Sequence, residues 1–325
     1  MTSSITSPPP RLDYHRQALR AARPRWWRPV AVLVATVGLY LVGLVALGVV
    51  PLAVLALVVP DLGATIDRAF TSADLSDPLA AAFMLLSIAA LLPAALLAVR
   101  LVGGRGAGTL SSVSGRLRWR LLVRCLRLAL LLTAPLAVLA VVVPDGGAPG
   151  AAISERTLPL VAIALLVVPL QAAAEEYVFR GLLMQTIGAW LRHPAFAIVL
   201  PVPLFTFGHD YDVLGMIDVA SFGLVAGWLA WRTGGLEAAI ALHVTNNAVL
   251  IALGGFGLVD LDASEGTPTG LACSLTLMGC YAWLVRGWGD EGRLVPNRPD
   301  HLPAFAGATG KNAAHGTAQQ AGTTP

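Results

Sequence analysis

Residues 161–181 read VAIALLVVPLQAAAEEYVFRG, a hydrocarbon-like run that ends in Glu175, Glu176 and Arg180. A run of this length and composition is typical of a helix in a lipid bilayer, where a charged side chain is costly. An ionisable residue at membrane depth therefore marks a functional site by default. Glu176 and Arg180 are four residues apart, so they can pair on one face of a helix, and this leaves Glu175 pointing elsewhere.

The whole chain has the composition of a membrane protein. Of its 325 residues, 56% are hydrophobic and only 13% are charged, and the mean hydropathy is +0.72. A water-soluble core cannot bury that much apolar surface. We predict an all-α fold, a polytopic membrane helical bundle with about eight transmembrane helices. The predicted helices cover about residues 30–58, 79–99, 124–144, 158–190, 195–210, 214–231, 235–257 and 268–285.

The distribution of charge predicts the organisation of the chain in the membrane. Arginines precede the first span, fill the loop between the second and third, and follow the fourth, sixth and eighth. The opposite loops are acidic and comprise 61–77, 144–150, 209–212 and 260–266. By the positive-inside rule, both termini are cytoplasmic in a multi-pass protein of the cell membrane. Basic loops beside the membrane spans account for the net charge of +3. The expected partner is therefore the lipid bilayer and not a nucleic acid.

Polar composition at both ends predicts three regions. We expect a disordered cytoplasmic tail over 1–28, a transmembrane domain over 29–286, and a second disordered cytoplasmic tail over 287–325. In the sixth span, Asp218 is expected to cap the start of its helix rather than to support a functional site.

Three more polar residues interrupt the apolar segments: His209 in FTFGH, and His243 and Asn247 in HVTNN. If the fourth and fifth segments form an antiparallel hairpin, a rise of about 1.5 Å per residue brings Glu175 and His209 to the same depth. Together with His243 and Asn247, these groups could meet in one cavity open to the cytoplasm.

The residue types in this cavity leave two kinds of chemistry open. A carboxylate and a histidine can hold a water molecule and take its proton, while histidine and asparagine donors stabilise an oxyanion. Alternatively, Glu175, His209 and His243 could ligate Zn²⁺. The chain has no G-x-S-x-G motif, which disfavours a serine nucleophile of that type.

EEYVFR, FTFGH and HVTNN match the EExxxR, FxxxH and HxxxN motifs of the CAAX-protease and bacteriocin-processing (CPBP) family of intramembrane proteases. The chain resembles that family over about residues 158–250, with the three motifs in order. The resemblance implies that Glu175 activates water with help from His209, that His243 and Asn247 stabilise the oxyanion, and that Glu176 and Arg180 are supporting residues. Metalloprotease and metal-free glutamate mechanisms are both proposed for the family.

The resemblance implies an intramembrane endopeptidase that hydrolyses a peptide bond of a peptide or membrane-protein substrate near the cytoplasmic face. The alternative is a non-proteolytic membrane scaffold or bacteriocin-immunity protein of the same fold. A scaffold would not need Glu175, His209, His243 and Asn247 together. A transporter would predict internal repeats, and the sequence has none that we recognise.

Overall fold

Helices make up the fold of the computed structural model, which describes residues 12–58, 63, 74–142 and 152–289. Four predicted parts lie wholly or mostly outside the described residues: residues 290–325 of the tail predicted over 287–325, the start of the predicted N-terminal tail, the loop at 144–150 and most of the loop at 61–77.

Apolar helices occupy the positions of the eight predicted segments. Five of them are long and apolar enough to cross a membrane, which confirms a polytopic helical membrane protein; how many segments span the bilayer stays a prediction. In chain order the helices are α1 (Arg28–Leu44, continuing through a π-helical turn at Val45–Val49 into Val50–Val58), α2 (Pro78–Leu101), α3 (Trp119–Val142), α4 (Thr157–Trp190), α5 (Pro194–Thr206), α6 (Val213–Thr233), α7 (Glu237–Gly255) and α8 (Pro268–Val285).

Capping residues set the start and the end of α6. The Asp212 carboxylate accepts a hydrogen bond from the backbone N–H of Gly215 at 2.8 Å, which satisfies a free donor of the first turn. The helix ends at Gly234, whose φ of 72° is a left-handed conformation that favours glycine. The prediction that Asp218 caps this helix is wrong, because Asp218 lies a turn and a half further along.

Helix α7 lies at the centre of the bundle and packs against α3, α4 and α6. Its first half is buried on every side, as at Ala238, Ala239 and Ala241, all of which have no exposed surface. Small side chains let neighbouring backbones approach closely, which is how membrane helices gain packing energy without a hydrophobic driving force. The backbone that carries His243 is therefore held rigidly.

A buried ion pair fixes the start of α7. Both oxygens of Glu237 bind Arg118, which donates from its backbone N–H at 2.8 Å, from Nε at 3.0 Å and from Nη2 at 2.7 Å. Glu237 has no exposed surface, whereas the Arg118 side chain is 17% exposed. A carboxylate in the first turn also interacts favourably with the helix dipole. This contact joins the loop before α3 to the helix of His243.

We expect Arg118→Ala to lower the free energy of unfolding by about 3 kcal/mol, because it leaves a buried carboxylate unpaired. Thermal unfolding of the purified protein in detergent measures this. The exposed Arg116 is the matched control, and Arg116→Ala should change stability by less than about 0.5 kcal/mol. Equal effects of the two variants would contradict a structural role for the ion pair.

The N-terminal segment is more ordered than predicted. Tyr14–Arg20 form a 3₁₀-helix that packs against the end of α4. The Tyr14 hydroxyl donates to the carbonyl of Leu110, and the His15 ring bonds the carbonyl of Arg192 at 2.9 Å. The expected disorder over residues 1–28 is therefore wrong for this segment, because its polar composition conceals side chains that are buried by tertiary contacts.

Candidate active site

The two adjacent glutamates lie near the middle of α4, where the helix changes its geometry. An α-helical stretch ends at Glu176, and a π-helical turn follows over Tyr177–Leu183 before the α-helix resumes at Met184. π-helical turns inside α-helices occur frequently at functional sites. The turn carries Arg180, so the local geometry positions both members of the pair predicted from the sequence.

The pair between Glu176 and Arg180 is confirmed. Arg180 Nη1 donates to Glu176 Oε1 at 2.9 Å, and the side chains are 4% and 0% exposed. The guanidinium also lies over aromatic rings, 4.3 Å from the centroid of Phe205 and 5.4 Å from that of Phe222. Cation–π contacts are worth up to about 2 kcal/mol when they are desolvated. Arg180 thus ties α4 to α5 and α6.

His243 on α7 lies between the two carboxylates. Its Nδ1 is 2.9 Å from Glu176 Oε1, and its Nε2 is 3.4 Å from Glu175 Oε2. An ionised carboxylate can only accept, so Nδ1 carries a hydrogen and donates it to Glu176. This bond sets the orientation of the ring and directs Nε2 towards Glu175.

Glu175 has a different environment from Glu176, although the two residues are adjacent. Its side chain is 13% exposed, whereas Glu176 has no exposed surface. Its Oε2 is buried and has no hydrogen-bond partner in the described part of the chain. An ionised oxygen without a partner is costly in such a place. Glu175 therefore offers an acceptor that is free to bind a water molecule or a substrate.

His209 follows the end of α5 and is partly buried. The predicted fifth segment reached residue 210, but the helix ends at Thr206 and turns follow it, with the N–H of His209 bonded to the carbonyl of Thr206 at 3.0 Å. His209 Nδ1 lies 2.9 Å from the carbonyl of Phe205. A carbonyl oxygen only accepts, so Nδ1 carries a hydrogen, and in the neutral ring Nε2 is then the acceptor.

Asn247 lies one turn after His243 on α7, and a residue that we did not predict accompanies it. Asn247 Nδ2 donates to Gln171 Oε1 at 3.4 Å, and Asn246 Nδ2 donates to Asn247 Oδ1 at 3.1 Å. Gln171 is 4% exposed and precedes Glu175 by one turn of α4. A glutamine at that spacing within an apolar run was the signal that could have identified it.

A cavity of about 490 Å³ adjoins these groups. His209, His243, Asn246 and Asn247 line it together with Phe205. The structure brings Glu175, Glu176, Arg180 and His243 into direct contact and places His209 and Asn247 on the same cavity. It shows no hydrogen bond or ion pair between the described side chains of Glu175 and His209. Glu175 is not among the residues that line the cavity; it adjoins the lining through His243, whose Nε2 is 3.4 Å from its Oε2.

The described residues do not fit the three-ligand zinc site that the sequence left open. No three side chains of His, Cys, Asp or Glu within residues 12–58, 63, 74–142 and 152–289 lie close enough together to hold a metal ion. The Nδ1 of His243 is bonded to Glu176, which leaves only its Nε2 for another group. We derive no step through a metal.

Comparison with known proteins agrees with the arrangement of motifs. The profile of the family described as Type II CAAX prenyl endopeptidase Rce1-like matches residues 157–249. The uncharacterized protein YyaK of Bacillus subtilis (strain 168) is 30% identical over 233 residues, which cover 69% of this chain and 76% of the relative. The chain belongs to the Rce1-like type II CAAX prenyl endopeptidase family. No solved structure matches the chain.

The matched region of this Rce1-like protein coincides with the site. It begins at the start of α4 and ends two residues after Asn247, so it contains the two glutamates, Arg180, both cavity histidines and the two asparagines. It also contains Gln171 and Asp218. The matched region therefore covers α4 to α7, which carry the candidate catalytic groups, whereas α2, α3 and α8 also line the cavity.

Proposed function

We propose that this Rce1-like protein is an intramembrane endopeptidase that hydrolyses a peptide bond, with Glu175 as the base that activates water. The observation that carries the proposal is the free Oε2 of Glu175, 3.4 Å from His243 Nε2. A carboxylate oxygen that makes no hydrogen bond within the described part of the chain, beside a fixed imidazole and a cavity, is suited to bind and deprotonate water.

In the proposed reaction, Glu175 takes a proton from water as the water oxygen bonds to the carbonyl carbon of the substrate. The tetrahedral intermediate then collapses, the C–N bond breaks, and the proton leaves Glu175 for the departing amine. His209 assists through its free Nε2, which can accept a hydrogen bond from the same water. Both residues are catalytic in this scheme.

The negative oxygen of the intermediate needs hydrogen-bond donors. With a proton on each nitrogen, His243 donates from Nδ1 to Glu176 and presents Nε2–H towards Glu175 and the cavity. Asn247 Nδ2 is the second donor, since its bond to Gln171 is long at 3.4 Å and can be exchanged for a better acceptor. Glu176 and Arg180 position His243 and do not touch the substrate.

On the orientation predicted from charge, the cavity lies towards the non-cytoplasmic side, because Tyr211, Ser264 and Glu265 line it and belong to the loops at 209–212 and 260–266, opposite the arginine-rich loops. We propose that all eight apolar helices span the membrane and that both termini are cytoplasmic, with the arginine-rich loops on that side. The substrate is a peptide or a membrane protein that reaches the cavity from the bilayer or from the side of the membrane on which the cavity lies. A scaffold of the same fold would retain the cavity without needing an unpaired carboxylate oxygen beside it.

Purified protein can be tested without knowledge of its substrate. A pool of peptides made by cleaving a bacterial proteome after aromatic residues is incubated with the protein in detergent, and new termini are identified by mass spectrometry. We expect His209→Ala to lower the rate of appearance of new termini by at least about 100-fold, the smallest usual contribution of a general acid–base group.

The matched control is His193, which lies in the α4–α5 turn and caps α5 through its Nδ1. His193→Ala should retain the rate of the wild type. If wild-type protein produced no new termini, or if His209→Ala produced them at the wild-type rate, the proposed assignment would be wrong.

A further inference from the structure

The cavity has a second polar wall, which the proposed reaction does not use. Asp218 on α6 lines it together with Tyr211, Ser264, Glu265 and Ser274. The lining residues include two acids, Asp218 and Glu265, and no arginine or lysine among the described residues. This part of the described lining therefore carries two carboxyl groups and no cation of its own.

Asp218 is the only one of these acids with an orphaned atom in the described part of the chain. Its Oδ1 is buried and has no hydrogen-bond partner there, while the hydroxyl of Ser274 on α8 contributes a bond to the carboxylate. A half-buried carboxylate with an unsatisfied oxygen is destabilising unless a ligand completes its contacts. Asp218 thus resembles one half of an ion pair.

Asp218 is also close to the proposed site of hydrolysis. It precedes Phe222 by one helical turn, about 6 Å along the axis of α6, and the Phe222 ring lies 4.9 Å from the His243 ring. Its neighbour Tyr211 stacks on His209, with ring centroids 6.1 Å apart. Burial raises the pKa of the Tyr211 phenol, and the Asp218 carboxylate adds to that rise.

We propose that Asp218 binds a cationic side chain of the substrate, a lysine or an arginine, near the bond that is cut. The ammonium or guanidinium group donates to the free Oδ1 and supplies the charge that the wall lacks. This inference rests on the proposed function and adds a substrate class to it.

Two readouts on the peptide pool test the proposal. Because the pool is cut after aromatic residues, lysine and arginine remain inside the peptides. Among the cleaved sequences, we expect wild-type protein to favour a basic residue near the new terminus. Two synthetic versions of one cleaved peptide, with lysine or with norleucine at that position, should differ about tenfold in cleavage rate. A tenfold ratio corresponds to the free energy of one charge-assisted hydrogen bond.

Asp218→Asn should reduce this difference to less than twofold while the norleucine peptide is still cleaved. Asp218→Glu, which keeps the charge, should retain most of the preference. Glu265→Gln is the matched control, since it removes the same charge from the same cavity and should leave the preference intact. Equal loss in Glu265→Gln would overturn the proposal, because it would indicate a general effect of charge rather than binding at Asp218.

The second readout does not need cleavage. Immobilised Glu175→Gln protein and immobilised Glu175→Gln/Asp218→Asn protein each capture peptides from the same pool. The peptides captured by Glu175→Gln protein should be enriched in lysine and arginine relative to those captured by the double variant. Enrichment without any Glu175-dependent cleavage by wild type would refute the proposed function and leave the cation site standing. Cleavage without enrichment of lysine and arginine in the captured peptides, or without a preference for the lysine version of the synthetic peptide, would refute the cation site alone.

Discussion

Replacing Glu175 with glutamine is expected to lower the rate of peptide hydrolysis by about 1,000-fold or more, within the range measured for general acid–base groups. The amide has the size of the carboxylate but cannot take a proton from water. The effect is measured as the rate of new peptide termini produced by purified protein. Folding should be unaffected, because Glu175 Oε2 has no hydrogen-bond partner to lose in the described structure.

Glu176→Gln is the matched control for this prediction. A single oxygen of Glu176, Oε1, accepts from both Arg180 and His243, and the amide oxygen of glutamine can accept both bonds. We therefore expect a smaller loss of activity than in Glu175→Gln. If the two variants were equally inactive while both remained folded, the roles assigned to the two glutamates would be wrong.

The second large effect concerns stability. Arg180→Met leaves the buried Glu176 carboxylate without its cation, and Glu176→Leu leaves a buried guanidinium without its anion. Each single change should cost about 3–5 kcal/mol of unfolding free energy, the usual consequence of breaking a buried ion pair. Thermal unfolding or denaturant titration of the purified protein in detergent measures it.

The double variant Glu176→Leu/Arg180→Met separates stability from function. Replacing both partners with apolar residues of similar volume is often nearly neutral, so most of the lost stability should return. Activity should not return, because His243 Nδ1 has lost its acceptor and its ring is no longer held. Recovery of both properties would show that Glu176 does not position His243.

The positions of the apolar helices could be predicted from hydropathy because a bilayer requires long apolar helices. The pair between Glu176 and Arg180 was also predictable, since residues four apart on a helix are neighbours. The depth argument for the α4–α5 hairpin agrees with the contact between Phe179 and Phe205, whose ring centroids lie 5.0 Å apart.

Contacts between distant parts of the chain were not predictable in this way. His243 bonds Glu176 across 67 residues, and only the packing of α7 against α4 brings them together. Gln171 was overlooked because it is a single amide in an apolar run. Asp218 was assigned to a cap because the cavity that it lines is formed in part by α8, and the packing of α8 is a contact between distant parts of the chain. The order of Tyr14–Arg20 likewise depends on the end of α4.

The central claim is that this Rce1-like protein cuts peptide bonds with Glu175. The most direct test compares the peptide termini in membranes of host cells that express wild-type protein with those in cells that express Glu175→Gln at an equal level. We predict a defined set of termini that appears only with wild type, near membrane segments or chain ends. Identical termini in the two samples would contradict the claim and favour a scaffold that has the fold without the hydrolysis.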